Sequence, residues 1–121
     1  MDWNLSDGRP IWVQLHQQLT QRIATGMYPR GSRMPSVREL ASEAGVNPNT
    51  MQRSLSQLES EGLAVSNRTA GRMVTEDAAV IDAARRKMAR EIISTFFAAM
   101  ADLGIPRERA IALLKEEGIH E

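Results

Sequence analysis

The chain has 121 residues, 42% of them apolar and 25% charged, and its formal net charge is zero. This length predicts one domain, or a small domain with an appendage, and the absence of cysteine excludes disulfides and thiolate metal sites. No apolar run approaches the roughly 20 residues that span a membrane, and the N-terminus lacks the basic and apolar regions of a signal peptide. We therefore expect a cytoplasmic protein without membrane association, metal or other cofactor.

The charges are unevenly distributed along the chain. Residues 1–75 contain eight arginines, no lysine and six acidic residues, whereas the remainder is slightly acidic. The planar guanidinium of arginine suits forked contacts with phosphate or guanine. Nucleic acid therefore stays a candidate partner despite the zero net charge, because the distribution of charge matters more than its total.

The first predicted element is a helix that begins at Pro10 and ends before Gly26. Proline suits the first turn of a helix, where its missing N–H costs nothing. Four apolar residues then repeat at helical spacing: Ile11, Leu15, Leu19 and Ile23. Residues 2–8, ahead of this helix, are expected to be extended or irregular.

The middle of the chain predicts two helices joined by a tight turn. Ser36 followed by Glu39 is the signature of a capping box at the first helix, and Asn47 is a good N-cap for the second. Ala41 is small enough for two helices to cross closely, and Gly45 accepts the left-handed backbone that a sharp connection needs. This combination is typical of a helix-turn-helix.

The second of these helices has an unusual polar side. Its apolar side consists of Met51, Leu55 and Leu58, and its polar side consists of Asn49, Gln52, Arg53 and Ser56. An ordinary solvated face usually carries glutamate and lysine, whereas amide, guanidinium and hydroxyl groups can pair with base edges or phosphates. We therefore predict a DNA-recognition helix, with an ordinary solvated face as the alternative.

A short two-stranded hairpin is predicted after Gly62. Residues 63–65 and 73–75 are compatible with strands, and residues 67–72 are polar and contain glycine. A hairpin in this position is the wing of a winged helix. Arg68 and Arg72 flank its tip, where they can reach phosphate or the minor groove; the alternative is a merely solvated hairpin.

The remaining residues predict a long helix to about Leu103, a break at Gly104 and a shorter helix after Pro106. The apolar side chains of this tail form a broad stripe that two helices cannot bury between themselves, so it packs either on the winged domain or on a second copy of the chain. We favour a second copy, because a domain that binds a palindrome needs a dimer. The candidate dimerisation residues are Ile81, Met88, Ile92, Phe96, Phe97, Met100, Leu103 and Leu114.

These segments together resemble the GntR family of bacterial transcription regulators. The resemblance covers roughly residues 9–75 and includes RPIWVQLHQQL, PRGSRMPSVRELA, GVNPNTMQRSLSQLESEGL and the wing around Gly71. The short tail is similar to that of the YtrA subfamily. The resemblance implies a mainly helical α+β fold, with a winged helix-turn-helix domain over residues 1–75 and a two-helix dimerisation hairpin over residues 76–121.

The resemblance also implies which residues contact DNA. Arg38, in PSVREL, falls on an arginine that family members use on DNA. The other matching positions lie at the start of the recognition helix and in the wing: Asn47, Asn49, Thr50 and Gly71. Pro48 and Gln52 stand where the family often has arginine, and Arg53 follows, so the base preference should differ from that of relatives.

Our leading hypothesis is a dimeric repressor of an inverted-repeat operator, which the subfamily resemblance places at a transporter operon. The alternative is a winged-helix module that docks on proteins without binding specific DNA, and the zero net charge is its best support. An enzyme is not expected, because the acidic pairs Glu59/Glu61 and Glu116/Glu117 lack a phosphate loop or an activated nucleophile. The chain has little room for a ligand domain, so an effector, if one exists, would bind at the dimer interface and is unknown.

Overall fold

The computed structural model describes residues 3–6 and 8–118. Five helices and one antiparallel hairpin lie in this part of the chain: α1 (Ile11–Ala24), α2 (Val37–Ala44), α3 (Pro48–Ser60), β1 (Ala64–Asn67), β2 (Gly71–Val74), α4 (Ala78–Asp102) and α5 (Arg107–Glu116). The predicted fold class, α+β and mainly helical with a winged helix-turn-helix, is confirmed. The chain forms two compact units, Met1–Arg85 and Arg86–Glu121, which divide within α4.

The core of the first unit is made by the apolar sides of its helices. α1 and α2 both pack on α3, and five leucines and a methionine of these helices are completely buried: Leu15, Leu19, Leu40, Met51, Leu55 and Leu58. Each such side chain contributes about 1.5–3 kcal/mol relative to leaving it exposed. Ala41 is 2% exposed in the same core, as expected for the small residue at the crossing of α2 and α3.

Local signals set the ends of α2 and α3 as the sequence predicts. The Ser36 hydroxyl accepts a hydrogen bond from the Glu39 N–H at 3.1 Å, and the Glu39 carboxylate accepts one from the Ser36 N–H at 2.9 Å. Gly45 ends α2 in the left-handed region, at φ 71°. The Asn47 side chain caps α3, with Pro48 in its first turn.

The N-terminal segment is held along α1 by two glutamines one turn apart. The side-chain amide of Gln18 both accepts from the Asn4 N–H and donates to the Asn4 carbonyl, at 3.1 and 2.9 Å. Gln14 forms the same pair of bonds with Ser6, each 2.7 Å long. Residues 4 and 6 thus satisfy their main-chain groups on helix side chains instead of on a strand.

Arg22 is buried inside the first unit. Its guanidinium donates to the Tyr28 hydroxyl at 2.6 Å and to the Glu43 carboxylate at 3.0 Å, and it lies 3.9 Å from the centre of the Trp3 ring. Burial opposes its charge, yet the bonds with Tyr28 and Glu43 outweigh that effect and raise the pKa of Arg22. This arginine is therefore part of the fold, although its residue type alone suggested a phosphate ligand.

The hairpin is longer than the sequence predicts. Its strands pair from Ala64 with Val74 to Asn67 with Gly71, so the turn contains only residues 68–70. A third segment, unpredicted, pairs with β2 through an isolated bridge between Arg33 and Met73. Sequence patterns missed this pairing because residues 32–34 are too short to show alternation.

The start of α4 belongs to the first unit. Ile81 is 6% exposed in its core, and Val80 and Ala84 pack against that core. This finding corrects the placement of Ile81 in the dimerisation stripe, because its side chain is covered by the winged domain. The predicted functional division at residue 75 stays a prediction.

The second unit contains the rest of α4 and α5. Gly104, at φ 79°, follows the end of α4, so the break lies where the sequence predicts it. The N-cap of α5 is Pro106, and the helix begins at Arg107. The rings of Phe96 and Phe97 meet edge to face at 5.3 Å, and the Arg107 guanidinium lies 4.4 Å from the centre of the Phe97 ring.

Candidate nucleic-acid interface

One side of α3 is open to solvent and almost free of acidic groups. Asn49, Gln52, Arg53 and Ser56, together called the recognition face, are all exposed. Met51 and Leu55, on the opposite side, are completely buried. The predicted amphipathic arrangement is therefore present, and the recognition face offers amide, guanidinium and hydroxyl groups to a partner.

The N-terminus of α3 lies beside the recognition face. The Asn47 side-chain oxygen accepts from the Asn49 N–H at 2.7 Å, so it caps the helix and leaves the amide NH₂ to donate outward. No acidic residue occupies the first turn of α3. The partial positive charge of the helix N-terminus is therefore not offset by a negative side chain, which favours phosphate nearby. Thr50, in the same turn, is half-buried.

Gln52 is bonded to its neighbour on the recognition face. Its side-chain NH₂ donates to the Ser56 hydroxyl at 3.0 Å. Glutamine pairs with adenine by donating and accepting at once. The second hydrogen of this NH₂ and the side-chain oxygen remain available to pair with a base.

Arg53 is stacked on an aromatic residue of α1. Its guanidinium carbon lies 4.2 Å from the centre of the Trp12 ring. The Ser54 hydroxyl also donates to the Trp12 carbonyl at 2.8 Å, which joins α1 and α3 at the same place. Such a stack limits the freedom of the guanidinium while leaving its N–H edge available to an acceptor.

Arg38 is exposed in the first turn of α2. The neighbouring Glu39 carboxylate is held by Ser36, first through the backbone N–H, and the pKa of Glu39 is lowered by these bonds and by the charge of Arg33. The capping box thus holds the Glu39 carboxylate at the N-terminus of α2. The neighbouring Arg38 is the arginine that the resemblance predicts to contact DNA.

The tip of the wing is organised by Asn67. Its side-chain oxygen accepts from the Thr69 N–H, the Thr69 hydroxyl and the Ala70 N–H, at 2.9, 3.0 and 3.0 Å. Gly71 follows at φ 86°, a left-handed conformation that suits glycine. Arg68 is exposed within this turn. The side chains of Asn67 and Thr69 therefore order the tip of the wing, and the tip exposes the positive charge of Arg68.

Arg72 points to α3 instead of the tip. Its Nε and one Nη donate to the same oxygen of Glu59, at 3.0 and 2.8 Å, and its side chain is only 14% exposed. The Ser66 hydroxyl donates to the other oxygen of Glu59. The bond from Ser66, followed by that from Arg72, lowers the pKa of Glu59 against the opposing effect of burial. Glu59 therefore ties the wing to α3.

The candidate dimerisation residues differ in their exposure. Ile92 and Leu103 are strongly exposed, at 68% and 74%. Five others are half-buried within the second unit: Met88, Phe96, Phe97, Met100 and Leu114. Ile81 is excluded because it lies in the core of the first unit.

Several residues that shape this interface were missed from the sequence. The sequence predicts no role at this interface for Trp12 or Glu59. The Asn67 turn had a local signal, since asparagine often accepts main-chain N–H groups one to three residues ahead. The contacts of Trp12 and Glu59 join distant segments, for which the sequence holds no local signal.

Within the part of the chain that the structure describes, no helix is long and apolar enough to cross a membrane. The same residues hold no group of three or more histidine, cysteine or acidic side chains arranged for a metal ion.

Comparison with known proteins gives consistent matches. The model of the gntR family of bacterial regulatory proteins matches residues 13–74. The chain is 33% identical to an uncharacterized HTH-type transcriptional regulator of Bacillus subtilis, YhcF, over 95% of each chain. It is 38% identical to the B. subtilis HTH-type transcriptional repressor YtrA, over 57% of this chain and 53% of that one. A GntR family transcriptional regulator from Listeria monocytogenes, 35% identical, has a TM-score of 0.82 and covers 93% of this chain and 98% of its own.

Proposed function

The chain belongs to the gntR family of bacterial regulatory proteins and is a DNA-binding transcription regulator, and from this we propose that it is a dimeric repressor of an inverted-repeat operator. The observation that carries the proposal is the exposed recognition face of α3, which has no acidic residue and adjoins a helix N-terminus without an acidic residue in its first turn. The similarity to the repressor YtrA supports repression over activation. A transporter operon is the proposed target.

Each element has a distinct role in this proposal. Gln52 and Arg53 contact base edges in the major groove, where amide and guanidinium groups distinguish adenine and guanine. Phosphates are contacted by residues that set the register of the protein: Arg38, Asn47, Asn49 and Thr50. Arg68 and the Gly71 backbone bring the wing to the adjacent backbone or minor groove.

The dimer is proposed to form through the second unit. Ile92 and Leu103 expose apolar surface that a second copy would cover. Two recognition helices would then enter successive major grooves, with half-sites about one helical turn (~10 bp) apart. We further propose that the protein is cytoplasmic and has no catalytic activity, and that any effector binds at this dimer interface.

Selection of duplexes from a random pool tests this function. The expected product is an inverted repeat that also occurs near a promoter in the source genome. Binding to this site should weaken steeply as salt rises, since phosphate contacts release counterions. Recovery of unrelated sequences, or binding that salt does not change, would instead favour the protein-docking alternative.

Arg38→Ala provides the companion test of the proposed face. It should weaken binding to the selected site and to a scrambled duplex equally, because a phosphate contact carries no sequence information. If this variant keeps the wild-type affinity for both duplexes, the DNA does not contact the surface formed by α2 and α3.

A further inference from the structure

The wing presents less free positive charge than its sequence suggests. The Arg72 guanidinium donates twice to Glu59, and the two side chains are 14% and 29% exposed. An ion pair with two hydrogen bonds and limited exposure is stronger than one on an open surface. To reach a phosphate, Arg72 would have to leave a carboxylate that lies close to the DNA side of α3. Arg72 is therefore a poor ligand for the phosphates of the DNA backbone.

A different arginine lies on the other face of the same sheet. The segment around Arg33 pairs with β2: the Met34 N–H donates to the Arg72 carbonyl at 2.9 Å, and the Val74 N–H donates to the Ser32 carbonyl at 2.8 Å. Arg33 is thus directly opposite Met73. Paired residues share a face of a sheet and successive residues alternate, so Arg33 lies on the face opposite Arg72 and Glu59.

The Arg33 side chain extends toward the tip of the wing. Its Nε lies 3.7 Å from the position that a Cβ on Gly71 would occupy, and the residue is exposed. Its charge also contributes to the low pKa of Glu39 in the first turn of α2. Arg33 therefore stands between the turn that carries Arg38 and the tip of the wing.

We propose that Arg33, and not Arg72, is the arginine through which the sheet of the wing contacts the DNA backbone. Arg72 instead holds the wing against α3 through Glu59. The attraction between Arg33 and Glu39 is exposed and weak, so a phosphate can compete for this guanidinium, whereas it cannot easily compete for that of Arg72. This inference rests on the proposed placement of DNA against α3 and the wing.

A matched pair of variants tests the assignment: Arg33→Met and Arg72→Met, each of which keeps an aliphatic stem and removes one positive charge. The probe is a scrambled duplex of about two helical turns (~21 bp), titrated at several salt concentrations. Arg33→Met should bind severalfold more weakly and reduce the slope of log K against log salt by about 1. Its melting temperature should stay near that of the wild type.

Arg72→Met should behave in the opposite way, with a lower melting temperature and an unchanged salt slope. Arg33→Lys should restore most of the slope of log K against log salt, because a phosphate contact depends more on the positive charge than on the forked geometry of the guanidinium. The inference is overturned if Arg33→Met keeps the wild-type slope while Arg38→Ala loses affinity, or if only Arg72→Met loses slope. If neither Arg33→Met nor Arg38→Ala changes binding, the proposed DNA face itself is overturned together with the inference.

Discussion

At the scale of single residues, the bonds of a side chain in the free protein determine how it is presented to DNA. Gln52 donates one N–H to Ser56 at 3.0 Å, so its second N–H and its oxygen stay available to a base. The bond to Ser56 limits the freedom of the amide and is worth about 0.5–1.5 kcal/mol for a neutral pair. We therefore expect Ser56 to position Gln52 for base recognition.

Two variants separate these contributions. Gln52→Ala should relax the preference at one base pair of the selected site by about 1–3 kcal/mol. Ser56→Ala should keep that preference, since Gln52 itself remains, but bind more weakly by at most about 0.5–1.5 kcal/mol, because the bond that positions the amide is gone. The measurement is the dissociation constant for the selected site and for each of its single-base variants. An equal loss on all of them for Gln52→Ala would refute base recognition by this residue.

Arg53 differs from Gln52 because an aromatic ring holds it without using its hydrogen bonds. The guanidinium lies 4.2 Å from the Trp12 ring centre. Trp12→Leu should weaken DNA binding by about 0.5–1 kcal/mol, the value of an exposed cation–π contact. The loss should vanish when Arg53 is already alanine, so a double-mutant cycle measures the coupling. Equal losses in the wild type and in the Arg53→Ala variant would show that Trp12 acts through packing alone. Trp12→Phe is the control that keeps an aromatic ring under Arg53.

The sequence could assign roles to residues only where residue type and local spacing were sufficient. The exposure of the four residues of the recognition face was predicted correctly because helical spacing alone determines it, whereas their contact with DNA stays a prediction. Arg22 could not be distinguished from the surface arginines, because its burial depends on Trp3, Tyr28 and Glu43, which lie at three separate places in the chain. Long-range contacts determine whether a charged side chain is buried or exposed, and they leave no local pattern in the sequence.

At the scale of elements, the helices were predictable and the sheet was less so. The ends of α2 and α3 follow from caps within a few residues, such as Ser36 and Asn47. The extent of the hairpin depends on the Asn67 turn, and the third segment pairs through Arg33 across 40 positions, from residue 33 to residue 73. Strand pairing of this kind depends on partners far along the chain.

The link between the wing and α3 should make stability depend on pH. Glu59 has a pKa below its ordinary value of 4.5 in the folded state. Its contribution is therefore fully present above that ordinary value, and it is lost as the pH falls through the lower, folded-state pKa. Glu59→Gln should lower stability near neutral pH by about 1 kcal/mol, a modest value because the pair is partly exposed.

Thermal unfolding of both proteins between ~pH 7 and ~pH 3 measures this effect. The difference in melting temperature should be greatest near neutral pH and shrink in acid, as Glu59 becomes protonated in the wild type. Glu39 and Glu43 also have lowered pKa values, but they are present in both proteins and cancel in the difference. A difference that stays constant down to the lowest pH would contradict the role of the Glu59 charge.

At the scale of the whole molecule, the apolar residues of α4 differ in burial along the helix. Ile81 and its neighbours complete the core of the winged domain, whereas Ile92 and Leu103 remain exposed. Helical periodicity predicted these apolar positions but could not show which of them the winged domain buries. The same apolar residue types at the same spacing suit either a domain core or a contact between copies.

This division predicts which part of α4 forms the dimer. Ile92→Glu should weaken self-association by ~100-fold or more, because a symmetric interface would bury two unpaired carboxylates. Ala101→Glu is the matched control, since residue 101 is exposed and lies nine positions from residue 92, which places it on the opposite side of the helix. Sedimentation equilibrium measures both. The Ile92→Glu protein should still bind a single half-site but lose the tight binding to the inverted repeat. If it remains dimeric with the affinity of the control, the dimer must form through another surface.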